Sequence, residues 1–231
     1  MKRFYKDADI VAGADGWSVA LDGRPVRTPA RAALELPTEA LANAVAQEWR
    51  AQGEEIDPRS MVMTGLANAA IDQVAAGRGA FAEGVALYAT SDLLCYRADG
   101  PQELVVRQAA VWDPLLDWAR GRYDVGFAVT NGIIPVAQPP ETLERMRQAV
   151  ETQSIFVLTG LSTLVTISGS LICGLAVVEG AFDAELVWDA AEIDERWQAE
   201  QWGEDADAAQ RAMGRRRDFL AARNFCALAR G

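Results

Sequence analysis

Histidine is absent from all 231 residues. That absence removes Ser-His-Asp and Cys-His catalysis, His-ligated zinc and any imidazole proton shuttle near neutral pH. Cysteine is scarce: Cys95, Cys173 and Cys226 lie far apart, are odd in number and form no CxxC pair. They indicate neither a metal knuckle nor a redox pair, and three lone thiols fit small core positions in a reducing compartment. No GxxxxGK[ST] and no GxGxxG occurs, so there is no phosphate-cradling loop to name. Positive charge is in deficit, with 22 Lys and Arg against 33 Asp and Glu for a net charge of -11. Phosphate binding needs clustered cations, so this balance argues against nucleic acid and suits a partner surface rich in exposed arginine. The opening residues MKRFYKDADIV hold no apolar h-region and no Arg/Ser-rich leader. A secretory signal or organelle presequence is therefore not expected.

What is present is ordinary in bulk: half the residues are apolar and 24% charged, enough for one large domain or two small ones. From Phe4 to Pro29 short β-rich runs alternate with turn signals. Asp15-Gly16 precedes Trp17-Ser18-Val19-Ala20-Leu21, and Asp22-Gly23 separates that run from Pro25-Val26-Arg27-Thr28. Two Asp-Gly turns between alternating runs predict a small antiparallel meander, which must lie on something else to be stable. After Pro37 the period becomes helical. Thr38 is placed to cap a helix carrying Leu41, Val45 and Trp49, which Gly53 stops. Asp57-Pro58 breaks the pattern. Helices are expected over 60–76 with Ser60 as cap, over 79–90, over 101–123 opening at Pro101, and from about Thr142.

Between Glu151 and Glu179 runs a charge-free stretch, TQSIFVLTGLSTLVTISGSLICGLAVV. A bilayer crossing needs roughly 20 apolar residues, so length alone permits one. The stretch lacks Lys/Arg flanks, however, and Ser168-Gly169-Ser170 interrupts it. Two buried helices between Ile155 and Val178, joined near Ser168, are expected instead. Ser and Thr hydroxyls would return to carbonyls of the preceding turn, with Gly160, Gly169 and Gly174 at close crossings.

The stretch Leu186 to Gly203, LVWDAAEIDERWQAEQWG, splits on a continuous helix into two opposed stripes. Leu186, Ala190, Ile193 and Trp197 form an apolar seam. Trp188, Glu192, Glu195 and Trp202 point about half a turn away, acids bracketed by indoles. One reading is an outward contact surface carrying negative charge, since Trp is enriched where proteins grip proteins. The other is a helix buried on both sides, its tryptophans in the core and its acids paired to arginines. From Glu204 to Arg230, Arg211, Arg215, Arg216, Arg217 and Arg223 form a basic face suited to neutralising part of that acidic stretch. Glu192/Glu195 and Glu54/Glu55 are spaced for acid/base work, but such spacing is uninformative without a pocket. Ser162, Ser168 and Ser170 have no base near them in sequence. A binding protein is a better expectation than an enzyme.

Six segments occur in a fixed order: LDGRPVRTPAR (Leu21–Arg31), EWRAQGEEIDP (Glu48–Pro58), LANAAID (Leu66–Asp72), DLLCYRA (Asp92–Ala98), WDPLLDWA (Trp112–Ala119) and WQAEQWG (Trp197–Gly203). Together they resemble the alpha-subunit assembly chaperones of the F-type ATP synthase, the "ATP twelve" family of mitochondria and related bacteria. The likeness covers almost the whole chain. It departs in two places: the family's EYQ-x-x-KWG ending is RWQAEQWG here, with Trp197 for Tyr and Gln201 for Lys, and the presequence that organellar members carry is not expected from MKRFYKDADIV.

The resemblance implies an α+β fold, a small N-terminal α/β domain with the meander over residues 1–58 and an orthogonal helical bundle over 59–231. It implies a non-catalytic chaperone that holds the free alpha subunit of the ATP synthase and shields its beta-facing surface. No cofactor, nucleic acid, small-molecule substrate or membrane span is implied. The place would be the cytoplasm of a bacterium, or the mitochondrial matrix for organellar relatives. By alignment of the ending, Glu195 is the acid expected to face the partner, with Trp188, Glu192 and Trp202 beside it by geometry. Glu48-Trp49 is the other pair the family marks, Glu48 toward the partner and Trp49 structural because it closes the seam Leu41-Val45-Trp49. The alternatives are a carboxylate-based soluble enzyme and a membrane-associated assembly factor.

Overall fold

The computed structural model describes residues 1–14, 16–132, 134–203 and 205–231. The fold is α+β, a small N-terminal antiparallel sheet followed by a mostly helical chain. Packing divides the chain into two compact units. One holds Met1–Arg78, Ser154–Gly160 and Asn224–Gly231, the other Gly79–Gln153 and Leu161–Arg223. These units follow packing, not chain order, so the first continues past residue 58 and takes in two later segments.

In the first unit, β1 (Ala8–Ala12) pairs antiparallel with β2 (Trp17–Leu21) from Ala8 opposite Leu21 to Ala12 opposite Trp17. The other edge of β2 is shared by β3 (Arg24–Pro25) and β4 (Glu35–Leu36). Asp22 and Gly23 both take positive φ, +47° and +77°, the two-residue turn whose twist matches the strands it joins. The Asp22 carboxylate also accepts from the amides of Lys6 and Asp7, which lowers its pKa. Asp15, in the other turn expected from the sequence, lies outside the described residues, as does Glu204. Helix α1 (Glu39–Arg50) packs on β1 and β2, burying Leu41, Ala42, Val45 and Ala46. Thr38 caps it as expected, its hydroxyl accepting from Leu41 N at 3.1 Å. Helix α2 (Val62–Ala69) runs on through a π-turn at Ala70–Val74 and a 3-10 turn at Ala75–Gly77. Ser60 does not cap it. The Ser60 hydroxyl turns back to the Asp57 carbonyl, and the cap position, Met61, has no side-chain acceptor.

In the second unit, α3 (Arg78–Ala86) enters from the first and leads through 3-10 turns to β5 (Tyr96–Arg97), which pairs parallel with β6 (Thr130–Asn131). The 22-residue α4 (Gln102–Tyr123) is central: α5 (Pro140–Glu151), α7 (Leu171–Val178), α8 (Ala184–Ala191) and α9 (Ile193–Trp202) all pack on it. The chain closes with α10 (Ala206–Arg230), which like α6 (Ile155–Ser168) belongs partly to each unit. The charge-free stretch is two helices, α6 and α7, parted where the sequence placed the break. Ser168 returns its hydroxyl to the Leu164 carbonyl at 2.8 Å, and Ser170 caps α7 by accepting from Cys173 N. Gly174 sits at a tight crossing, where a Cβ would lie 2.6 Å from Val165 Cγ2 and 2.9 Å from Leu161 Cδ1. Gly169 serves differently from the expectation: at φ +69° it makes the turn itself. Among the described residues, no helix is long and apolar enough to cross a membrane.

Candidate functional site

The stretch Leu186 to Gly203 is not one helix. α8 ends at Ala191 and α9 starts at Ile193, with Glu192 at φ -98°, ψ 15° between them. The indole Nε1 of Trp112 on α4 donates to the Ala190 carbonyl at 2.7 Å, a side chain inserted where the hydrogen-bond ladder would run on. The break resets the helical phase, and the two stripes expected from a continuous helix dissolve.

Trp188 is 3% exposed and packs on Phe219 of α10, ring centroids 5.8 Å apart. Glu192 is 8% exposed, and Arg215 Nη2 donates to its Oε2 at 2.6 Å. Both were expected outward; both are buried. α8 packs against α4, α7 and α9, and its Trp188 meets Phe219 of α10, so five of its eight residues are buried. Leu186, expected inward, is 64% exposed. Ala190 and Trp197 are buried as the seam required, and Trp202 stands 79% exposed at the end of α9. For Trp188 and Glu192, the reading with indole in the core and acid paired to arginine holds.

The carboxylates of α8 and α9 separate into two kinds. Glu185 pairs with Arg216, Asp189 with Arg196, Glu192 with Arg215, and Glu200 with Arg107. Asp194 accepts from Gln108 Nε2 at 2.7 Å. Burial pushes the Glu192 carboxyl up while Arg215 pulls it down, and the neighbouring charge of Glu195 adds a small upward push. Glu195 itself is exposed and, among the described residues, has neither a hydrogen bond nor an ion pair. It lines a shallow groove between α9 and α10 whose walls include Ala199, Ala208, Ala212 and Met213. Among the described residues, its charge is the only one on these two helices not already spent inside the chain.

Glu48 is in the first unit, and both its oxygens are occupied. They accept from Met63 N at 2.7 Å, Thr64 N at 2.8 Å and the Thr64 hydroxyl at 2.7 Å. A carboxylate on the free amides of a helix N-terminus is favourable by charge and by hydrogen bonding. Glu48 thus does for α2 what Ser60 was expected to do. Trp49 meets Tyr5 edge-on at 5.6 Å and packs against the cluster of Tyr5, Ala8, Leu21, Ile56 and Met61. Its indole Nε1 is buried with no acceptor among the described residues.

Ser168 and Ser170 are buried with hydroxyls committed to the backbone, and Glu54 and Glu55 lie exposed on a loop. Among the described residues no three His, Cys, Asp or Glu are placed to hold a metal ion. Burial pushes the thiols of Cys95, Cys173 and Cys226 up to about 12.

The sequence profile described as "ATP12 chaperone protein" matches residues 2–120. The chain belongs to this family. The crystal structure of Atp12 from Paracoccus denitrificans shares 45% identity at a TM-score of 0.96, covering 99% of this chain and 98% of that one. A mutant of the same P. denitrificans protein superposes equally, at 44% identity and TM-score 0.96, covering 99% and 97%. Protein atp12, mitochondrial, of Schizosaccharomyces pombe is 23% identical over 219 residues, 90% of this chain and 75% of that protein. Within this ATP12-family chain, the supporting residues that sequence reasoning missed are Trp112, Gln108 and Arg107, each of which fixes α8 or α9 from α4. Their signal was faint: Gln108 and Trp112 stand four apart on one face of a long helix.

Proposed function

We propose that this chain is an assembly chaperone that captures the free alpha subunit of the ATP synthase and covers its beta-facing surface until assembly. It acts by binding and not by catalysis, in the cytoplasm of a bacterium. Its place in the ATP12 chaperone family supports this reading. The observation that carries it to a residue is the isolation of Glu195. An acid already paired must give up that pair before it can serve a partner, whereas an exposed, unspent carboxylate is available at once. Glu195 is therefore the contact charge and would meet an arginine of the alpha subunit. Trp202, exposed on the same helix, supplies contact area. Trp188 and Glu192 act through position: with Arg215 they pin the start of α9 so that Glu195 is presented in one orientation. Glu48 and Trp49 contribute by holding the first unit together.

Purified alpha subunit and tagged chaperone test this directly. Glu195→Lys is expected to keep the wild-type circular dichroism and melting temperature and to lose capture, with wild-type capture weakening as salt is raised. Equal binding by the variant, or a misfolded variant, would remove Glu195 from the recognition surface. A wild-type protein that captures no alpha subunit would overturn the chaperone reading itself.

A further inference from the structure

On the opposite flank of α9 from Glu195 lies a second groove, of about 550 Å³, enclosed entirely within the second unit by α4, α8 and α9. Its floor is apolar: Val111, Pro114 and Leu115 from α4, Phe182 ahead of α8, and Leu186 from α8. Ala110 and Pro114 are four residues apart on α4, and exposed Val106 continues the same row one turn earlier. From Val106 to Pro114 that row is about 12 Å long, some two helical turns. An exposed Leu186 beside such a row makes a contiguous apolar patch, which on a soluble protein marks a binding surface.

The rim decides what fits. Arg107 pairs with both Glu200 and Glu103, and Arg196 pairs with Asp189, so every rim charge is already neutralised. Arg107 is held further by stacking over Trp197 at 4.8 Å. A charged guest would have to break one of these pairs; an uncharged one would not. A groove among three helices, with a row at every fourth residue along the α4 side, takes a helical ridge.

We infer that this groove binds the apolar face of an amphipathic helix of the alpha subunit, about two turns long, while Glu195 across α9 engages a basic residue beside it. The inference rests on the chaperone reading above. Arg196 lines both grooves, so the two contacts are continuous over one helix. The charge sets register and the groove supplies apolar area.

The test uses purified alpha subunit and the full chain. The double substitution Leu186→Gln with Ala110→Gln is expected to weaken capture at least tenfold, equally at low and high salt, with the melting temperature unchanged. Capture within twofold of wild type would sink the groove and leave the chaperone reading standing; no capture by wild type would sink both. Should the double variant fail to fold, Leu186→Cys carrying an environment-sensitive fluorophore decides, because the three native thiols are buried and escape labelling. A blue shift on adding alpha subunit supports the groove, and an unchanged spectrum refutes it. A shift on concentrating the labelled protein alone, with sedimentation as a dimer, would assign the face to a second copy of the chain and overturn the inference.

Discussion

Helices α7 and α8 are each eight residues long, follow one another in the chain and pack together on α4. Every residue of α7 is buried. α8 buries Ala184, Val187, Trp188, Ala190 and Ala191 and leaves Leu186 in solvent with Glu185 and Asp189 beside it. Uniform composition fixes burial without knowledge of neighbours: a helix with no polar face has nowhere to go but inside. A mixed helix fixes only that it has an inside and an outside. Which side is which depends on where α4 and α10 approach, and those contacts are made by residues far away in sequence.

Three measurements sharpen or break that comparison. The largest effect is expected at Gly174→Leu in α7. A Cβ alone already meets Val165 and Leu161 inside 3 Å, so the larger side chain should cost about 3 kcal/mol by overpacking. An unchanged denaturation midpoint would show that α7 is not close-packed.

Next comes the pH dependence of Asp92, a wholly buried carboxylate that accepts from Leu94 N and from Ile172 N in the first turn of α7. Burial raises its pKa from 3.8 to about 6, against the opposing pull of the Ser170 hydroxyl and the backbone amides. A raised carboxyl pKa means that the folded state holds the proton more tightly. The associated stability is present below about pH 4 and lost as pH rises through about 6, a swing of roughly 2–3 kcal/mol. Asp92→Asn cannot titrate and loses one accepting oxygen, so it should start less stable than wild type. The difference should move in its favour as pH goes from 4.5 to 7.5. A difference that stays flat across that window would show that Asp92 does not titrate there.

The smallest effect is expected at Leu186→Ala on α8. A leucine this exposed should cost within about 0.5 kcal/mol, against the 2–5 kcal/mol typical of a buried one. Calorimetry giving a loss above 1 kcal/mol would mean that Leu186 belongs to the core after all.

Much of the fold was legible where a local signal forces local geometry. Asp22-Gly23 made the hairpin turn, Thr38 began α1, and Ser168-Gly169-Ser170 parted α6 from α7. Each needs only its immediate neighbours. The misreadings share the opposite property. Ser60 was displaced as a cap by Glu48, which reaches Met63 and Thr64 from 15 and 16 residues away. The helix from Leu186 to Gly203 was broken by Trp112, 78 residues back from Ala190. Once broken, its stripes could not be counted through Glu192, and Trp188 went in while Leu186 came out. At the candidate site Glu195 is exposed as expected, because exposure on α9 does not depend on the phase of α8. Its isolation was invisible until the five neighbouring acids had found their partners.

The Asp92 carboxylate ties together positions 80 residues apart. Closing a loop of that length costs conformational entropy before any contact rewards it, and contacts of high sequence separation slow folding. Helices α4, α5 and α6 lie within that loop, so the N-terminus of α7 meets Asp92 only when a long stretch of chain has been brought together. Until then an eight-residue segment without a single charge stands uncovered as the chain leaves the ribosome. A member of a chaperone family thus carries an apolar segment that must itself be covered, and the buried Asp92 carboxylate on the Ile172 amide is one of the contacts that fixes it in place.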